Sequence, residues 1–184
     1  MKPSEYIPGR YPSDRSLEDD LGSWWVIHVK PNREWKVAKY FFHHEITYYL
    51  PLYDRKTKVG YLKREKIVKA PLFRGYLCFA LEKGRHGLLH ECHDYVRIID
   101  IPDQDKFVQE MEHVAKALDT CQDLFVKPGI VKGRKVLIAS GPMEGVVGIV
   151  SGRSKKGQVA LTVEMFNRTV IVNTDQFTNL EILE

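Results

Sequence analysis

Within the stretch "HGLLHECHDY" stand His86, His90, Cys92 and His93, side chains of the types that bind transition metals. Imidazole and thiolate groups hold tetrahedral zinc, but a structural site usually pairs two such groups from separate parts of the chain. No second group with similar spacing occurs, so the favoured reading is a His-rich helix end facing solvent or a partner, with no metal assigned. The chain also lacks a serine nucleophile elbow, a P-loop and a GxGxxG run. The expectation is a protein that binds rather than catalyses, without a cofactor.

The basic residues say more. Lys36, Lys39, Tyr40, His43 and His44 follow the i, i+3, i+4, i+7, i+8 rule and would share one face of a helix. Lys30 and Arg33 stand near its start. Cations interleaved with an aromatic ring suit a nucleic acid, because the ring can stack on an unpaired base. An ordinary solvated helix face is the alternative. Further on, "RKTKVGYLKREKIVK" reads as a hairpin with Gly60 near its tip. It carries Arg55, Lys56, Lys58, Lys63, Arg64, Lys66 and Lys69 against Glu65 alone, a balance that could reach towards DNA or RNA phosphates.

The elements that must position these residues follow from pattern. Residues 1–22 are polar and broken by Pro3, Pro8 and Pro12, which reads as a flexible extension. "WWVIHVK" is a strand stopped by Pro31-Asn32. A helix follows, with Asn32 as N-cap and Trp35, Ala38 and Phe42 towards the sheet. "ITYYLPLYD", "PLFRGYLCFAL" and "YVRIID" are further strands. Phe107, Met111, Val114, Ala115 and Leu118 make one stripe of a second helix. Residues 23–118 thus form an α+β domain, an antiparallel sheet flanked by helices. Residues 119–127 read as a linker. From 128 to 184, five short β-rich runs punctuated by turn signals predict a small β-barrel.

Composition sets the outer bounds. Cys78, Cys92 and Cys121 form no CxxC pair and leave an odd count, which fits a reducing compartment better than a disulfide framework. A net charge of +4 permits a nucleic-acid partner without demanding one. No apolar run approaches a membrane span and no signal-peptide core occurs, so the expectation is a cytoplasmic monomer away from the membrane.

"SWWVIHVKPNREWKVAKYF", "YYLPLYD" and "PLFRGYLCFAL" together resemble the N-terminal (NGN) domain of the NusG family of transcription elongation factors. "KPGIVKGRKVLIASGPMEGVVGIVSG", with its Pro-Gly, its Gly141-Pro142 turn and Gly148, resembles the family's KOW domain, as does "VALTVEMFNRTVIVNTDQF". The likeness runs from Ser23 to Leu183.

The resemblance implies that the N-terminal domain sits on the clamp helices of the RNA polymerase β′ subunit through a hydrophobic depression. Phe73 and Tyr76 occupy the motif positions that line it, and Leu50, Pro51 and Leu72 would complete the rim. Odd spacing puts Phe73 and Tyr76 on opposite strand faces unless Gly75 bends the chain there. Specialised paralogues of the RfaH type touch the non-template DNA strand with the helix face that here carries Lys30, Lys36, Tyr40, His43 and His44. His86 falls where such paralogues meet the polymerase β subunit, although Gly87 and Leu88 replace the usual threonines.

In the KOW domain the partner surface would comprise Met165, Phe166 and Arg168, receiving a small-subunit ribosomal protein or the termination factor Rho. Asn167 replaces the usual Gly, and Asn tolerates a left-handed turn. Val146, Val147, Ile149, Val150, Thr162, Val163, Thr169, Val170, Ile171 and Val172, with Gly145, Gly148, Gly152 and Gly157, disfavour the helical hairpin that some paralogues adopt. The reading is a specialised, non-enzymatic antiterminator of this family, with Arg74 in place of the usual Pro. The housekeeping factor, and an RNA-binding module of ribosomal or RNA-processing type, are the alternatives.

Overall fold

Alternation in Ser23–Val29 buries Ile27 and Val29 on one side of a strand while the neighbouring His28 stays half-exposed, as a pleated chain requires. In the computed structural model, which describes residues 7–59, 64–82, 84–121, 124–129, 131–150, 158–173 and 180–183, this strand lies inside a five-stranded sheet. The elements of the first part are β1 (Arg10–Tyr11), β2 (Ser23–Val29), α1 (Glu34–His43), β3 (Thr47–Tyr49), β4 (Leu52–Val59), β5 (Arg64–Pro71), β6 (Tyr76–Leu81), a 3₁₀ turn (His86–Leu89) and β7 (Tyr95–Asp100). The sheet order is β1-β3-β6-β2-β7, all antiparallel, and β4 with β5 forms a separate two-stranded ribbon. The tip of the ribbon, including Gly60, lies outside the described residues.

α1 departs from expectation in two respects. Asn32 sits at φ +59°, before the helix rather than capping it, and Arg33 precedes Glu34 without a side-chain cap. The buried stripe is Glu34, Val37, Ala38 and Phe41, whereas Trp35 is 37% exposed. The i, i+3, i+4, i+7 rule holds, rotated by one residue from the predicted set. Val37, Ala38 and Phe41 pack with Ile27, Tyr48 and Phe79 in the core between helix and sheet. Each large apolar side chain buried there contributes about 1.5–3 kcal/mol.

The N-terminal extension is not loose where it is described. β1 pairs with β3, Tyr48 Oη donates to Pro8 O at 2.7 Å, and Leu50 N–H donates to Gly9 O. Asp20, whose side chain is fully buried, accepts from Arg15 at 2.8 Å and Arg10 at 3.3 Å. Prolines prevented a periodic pattern, and contacts distant in sequence order the segment instead.

The chain divides into two units, Met1–Pro102 and Asp103–Glu184. The second contains α2 (Gln104–Thr120), β8 (Leu124–Pro128), β9 (Arg134–Ile138), β10 (Val147–Val150), β11 (Gln158–Val163), a 3₁₀ turn (Glu164–Phe166), β12 (Arg168–Asn173) and β13 (Leu180–Leu183). Asp103 caps α2 by accepting from Lys106 N–H at 3.0 Å. By compactness α2 therefore belongs to the second unit. Phe107, Met111, Val114 and Ala117 are buried on α2, which packs with β11.

The span read as a linker supplies β8, paired along β12. Its five residues were too few for a readable period. The six strands run β13-β9-β10-β11-β12-β8. This is an open sheet, not the closed barrel expected, because no pairing joins β8 to β13 among the described residues. β10, β11 and β12 are extended as their β-branched residues require. Gly148 has a specific reason: a Cβ there would lie 2.2 Å from Val159 Cγ1 on the adjacent strand.

Candidate functional site

"PLFRGYLCFAL" is two elements and a turn. Pro71 ends β5 and Tyr76 begins β6. Between them Tyr76 N–H donates to Phe73 O at 3.1 Å, with Gly75 at φ +82°, the left-handed conformation that glycine tolerates. Two further bonds fix the turn to neighbouring elements. Gly75 N–H donates to Glu34 Oε1 on α1 at 2.9 Å, and Val29 N–H of β2 donates to Gly75 O at 2.8 Å. The rings of Tyr76 and His28 stack at 5.0 Å. Arg74 is left exposed at the tip.

The bend separates the expected rim residues. Phe73 is 3% exposed, Leu72 5%, and Leu50 and Pro51 are buried as well. These four belong to the interior, and Tyr76, half-buried, is the aromatic that reaches the surface. His86 is exposed and meets Trp25 edge to face at 5.8 Å. Trp25 Nε1 is buried without a hydrogen-bond partner among the described residues.

The basic face of α1 is organised around an acid that spacing did not reveal. Lys36 Nζ lies 2.8 Å and Arg33 Nε 3.7 Å from the Asp94 carboxylate. Lys30 Nζ donates to His93 O at 2.7 Å, across 63 positions. The hydrogen bond from Lys36, with the charges of Lys36, Arg33 and Lys30, holds the Asp94 carboxyl below its usual range. Lys36 and Arg33 thus converge on one carboxylate, with Lys30 beside them on the His93 carbonyl.

Tyr40 Oη donates to Leu88 O at 2.6 Å, and His44 stacks on Tyr40 at 4.0 Å with Nδ1 2.8 Å from Tyr40 O. Burial pushes the Tyr40 phenol up. Lys39 and His43 are exposed on the same helix. Lys30, Arg33 and Lys36 therefore come together beside His93 and Asp94, whereas Tyr40 and His44 form a separate pair against the 3₁₀ turn.

The His/Cys cluster does not converge: among the described residues no three potential ligands come together. Cys92 is buried, and desolvation raises its thiol pKa.

On the second unit, Asn167 takes φ +47°, the left-handed turn expected of it. Phe166 is buried at 4% exposure, edge to face with Phe107 at 6.3 Å, and so differs from the exposed aromatic predicted. Met165 and Arg168 are half-exposed beside it. Lys106 Nζ lies 2.7 Å from Glu164 Oε2, and Glu164 N–H donates to Glu110 at 3.1 Å. These three residues edge a cleft of about 440 Å³, which His113 and Lys135 also line. Burial, reinforced by the Glu164 charge, pushes the Glu110 carboxyl up to about 7.

Sequence reasoning missed Glu34 and Asp94. A lone acid within the apolar stripe Glu34-Val37-Ala38-Phe41 was a usable signal for the first. Nothing local marked the second.

The first unit is thus an α+β domain, an antiparallel sheet packed by a helix, with a turn fixed to that helix and a basic helix face. The family model described as "Transcription termination factor nusG" matches residues 22–120, more than half of the chain. The chain belongs to the NusG family, non-enzymatic factors of transcription elongation and termination that bind RNA polymerase. No curated protein matches it. Among the described residues no helix is long and apolar enough to cross a membrane.

Proposed function

We propose that this chain is a specialised NusG paralogue that binds the polymerase clamp and promotes processive elongation and antitermination. The family match over residues 22–120 carries the polymerase part of this reading. The turn at Phe73–Tyr76 is the candidate contact, with Tyr76 and Arg74 at its surface and the buried Phe73, Leu72, Leu50 and Pro51 supporting it from beneath. His86 is a second contact, towards the β subunit. Aromatic and arginine side chains of this kind commonly dominate association energy.

The specialised part of the reading rests on Arg74 in place of the family's usual Pro and on the cationic face of α1. Lys30, Arg33, Lys36 and Lys39, with Tyr40, His43 and His44 alongside, suit the exposed non-template strand. In the second unit, Gly148 and the Asn167 turn support a KOW domain. Met165 and Arg168 are its accessible partner residues, beside Phe166, for a ribosomal protein or Rho.

Purified full-length chain and RNA polymerase, assayed for binding and for read-through of intrinsic and Rho-dependent terminators, test this. Polymerase binding with raised read-through supports the specialist. Binding with increased Rho-dependent termination favours the housekeeping factor instead. Absence of polymerase binding overturns the reading altogether.

A further inference from the structure

Lys106, Gln109, Glu110 and His113 stand at i, i+3, i+4 and i+7 of α2 and share one face of it. The sheet opposite offers a row across three strands. Lys135 of β9 pairs with Ile149 of β10, and Ile149 pairs with Ala160 of β11. Val147 and Thr162, each two residues along its strand, lie on the same face. Helix face and sheet face together line the cleft of about 440 Å³, a volume usual for small-molecule sites. Val147 and Ile149, both half-exposed, supply an apolar lining, and the helix supplies polar groups.

What those polar groups already bind decides what could join them. Lys106 is committed to Glu164 at 2.7 Å, and Glu110 Oε2 accepts the Glu164 N–H at 3.1 Å. Lys135 is exposed and has no ion-pair partner among the described residues. Burial keeps the Glu110 carboxyl protonated until about pH 7. Burial, with the charges of Lys116 and Lys135, favours a neutral His113 imidazole. The cleft thus offers one unpaired ammonium, a carboxyl O–H and an imidazole N–H.

We propose that this cleft binds a small amphipathic monocarboxylate, its head at Lys135 and its apolar body on Val147 and Ile149. A carboxylate can accept from all three donors, and such charge-assisted bonds are stronger than neutral ones. An ammonium head would meet Lys106, Lys116 and Lys135 instead. A phosphate monoester would bring a second negative charge towards Glu164 and Glu110, with one free cation to meet it. The inference stands on the lining of the cleft, apart from the polymerase reading, and its test contains no polymerase.

The test is a heteronuclear NMR titration of the full chain at about pH 6.5, with phenylbutyrate as the probe. Phenylbutanamide, phenylbutylamine and phenyl phosphate are the parallel arms. Phenylbutyrate should shift the backbone amides of Gln109, His113, Gly148 and Ile149 saturably, with affinity roughly tenfold above that of the amide and the amine. Lys135→Gln should weaken binding roughly tenfold. Lys132→Gln, which removes an exposed cation outside the cleft, should leave it unchanged. The same spectra show whether each variant is folded.

The charged and titratable groups around Glu110 are Lys106 and His113 of its own helix, Asp103 at the helix start, Glu164 and Lys135. As pH rises from about 6.5 to about 8.5, Glu110 ionises and repels the bound carboxylate, so affinity should fall several-fold. Glu110→Gln should abolish that fall. Absence of saturable binding, equal affinity for carboxylate and amine, or tighter binding of the phosphate would each overturn the proposal. So would shifts centred outside the cleft, undiminished affinity in Lys135→Gln, or a wild-type affinity that does not change with pH.

Discussion

Glu34, the first residue of α1, accepts a hydrogen bond at 2.9 Å from the backbone N–H of Gly75 in the turn before β6. The helix that carries the cationic face and the turn that presents Tyr76 are thereby coupled through one carboxylate. Glu34→Ala leaves a part-buried N–H without its charged acceptor, at a cost of about 1–3 kcal/mol. Chemical denaturation should register that loss, while Glu34→Gln, which keeps an acceptor oxygen, should recover most of it. If both variants denature alike, the bond does not hold the turn.

Gly75→Ala isolates the turn from its sterics. An added Cβ would meet the His28 ring at 3.7 Å, ordinary contact distance, so the cost comes from φ +82°. That conformation costs an L-residue about 1–2 kcal/mol. Tm should fall accordingly, and a crystal structure of the variant should show the Phe73–Tyr76 turn relaxed.

Phe73 and Tyr76 should behave differently on truncation. Phe73→Ala removes a ring that is 3% exposed and should cost about 3–5 kcal/mol of stability. Tyr76→Ala loses its stack on His28, worth about 0.5–1.5 kcal/mol, and leaves the fold in place. Polymerase affinity, measured on folded protein, should drop in Tyr76→Ala; wild-type affinity there would remove Tyr76 from the contact.

Asp94 restrains the α1 cations. Asp94→Asn should strengthen binding to single-stranded DNA and steepen its salt slope by about 1, since Lys36 and Arg33 are released to phosphates. An unchanged slope would mean that Asp94 does not compete with the nucleic acid.

Glu110 makes the second unit pH-sensitive. Its carboxyl titrates near 7 when folded, above the usual 4.5, chiefly through burial. The folded state therefore holds the proton more tightly than the unfolded state. This contribution is complete below pH 4.5 and is lost as pH rises through about 7. Glu110→Gln removes the titration, so the stability of wild type relative to the variant should decline between those limits. The lowered pKa of His113 works in the opposite direction, but it is common to both proteins and cancels in the difference.

What the sequence determined by itself was local and periodic. The apolar spacing of α1 and α2, the β-branched runs of β9 to β12, and the Arg-Gly bend are written in neighbouring residues, because a helix or strand needs only its own period. The motifs carrying the family resemblance are likewise contiguous. Only the tertiary structure decided which residues reach the surface. It turned Phe73, Leu72 and Phe166 inward and rotated the buried stripe of α1 by one residue. It paired Arg10–Tyr11 with β3, and brought Asp94 to Lys36 and Glu34 to Gly75. Those outcomes depend on burial and on charge pairs between residues far apart in the chain, and local pattern contains no term for either. The ribbon combines both levels: its lysines and arginines are legible in the sequence, but the cross-strand register decides which of them share a face with Asp54 and Glu65.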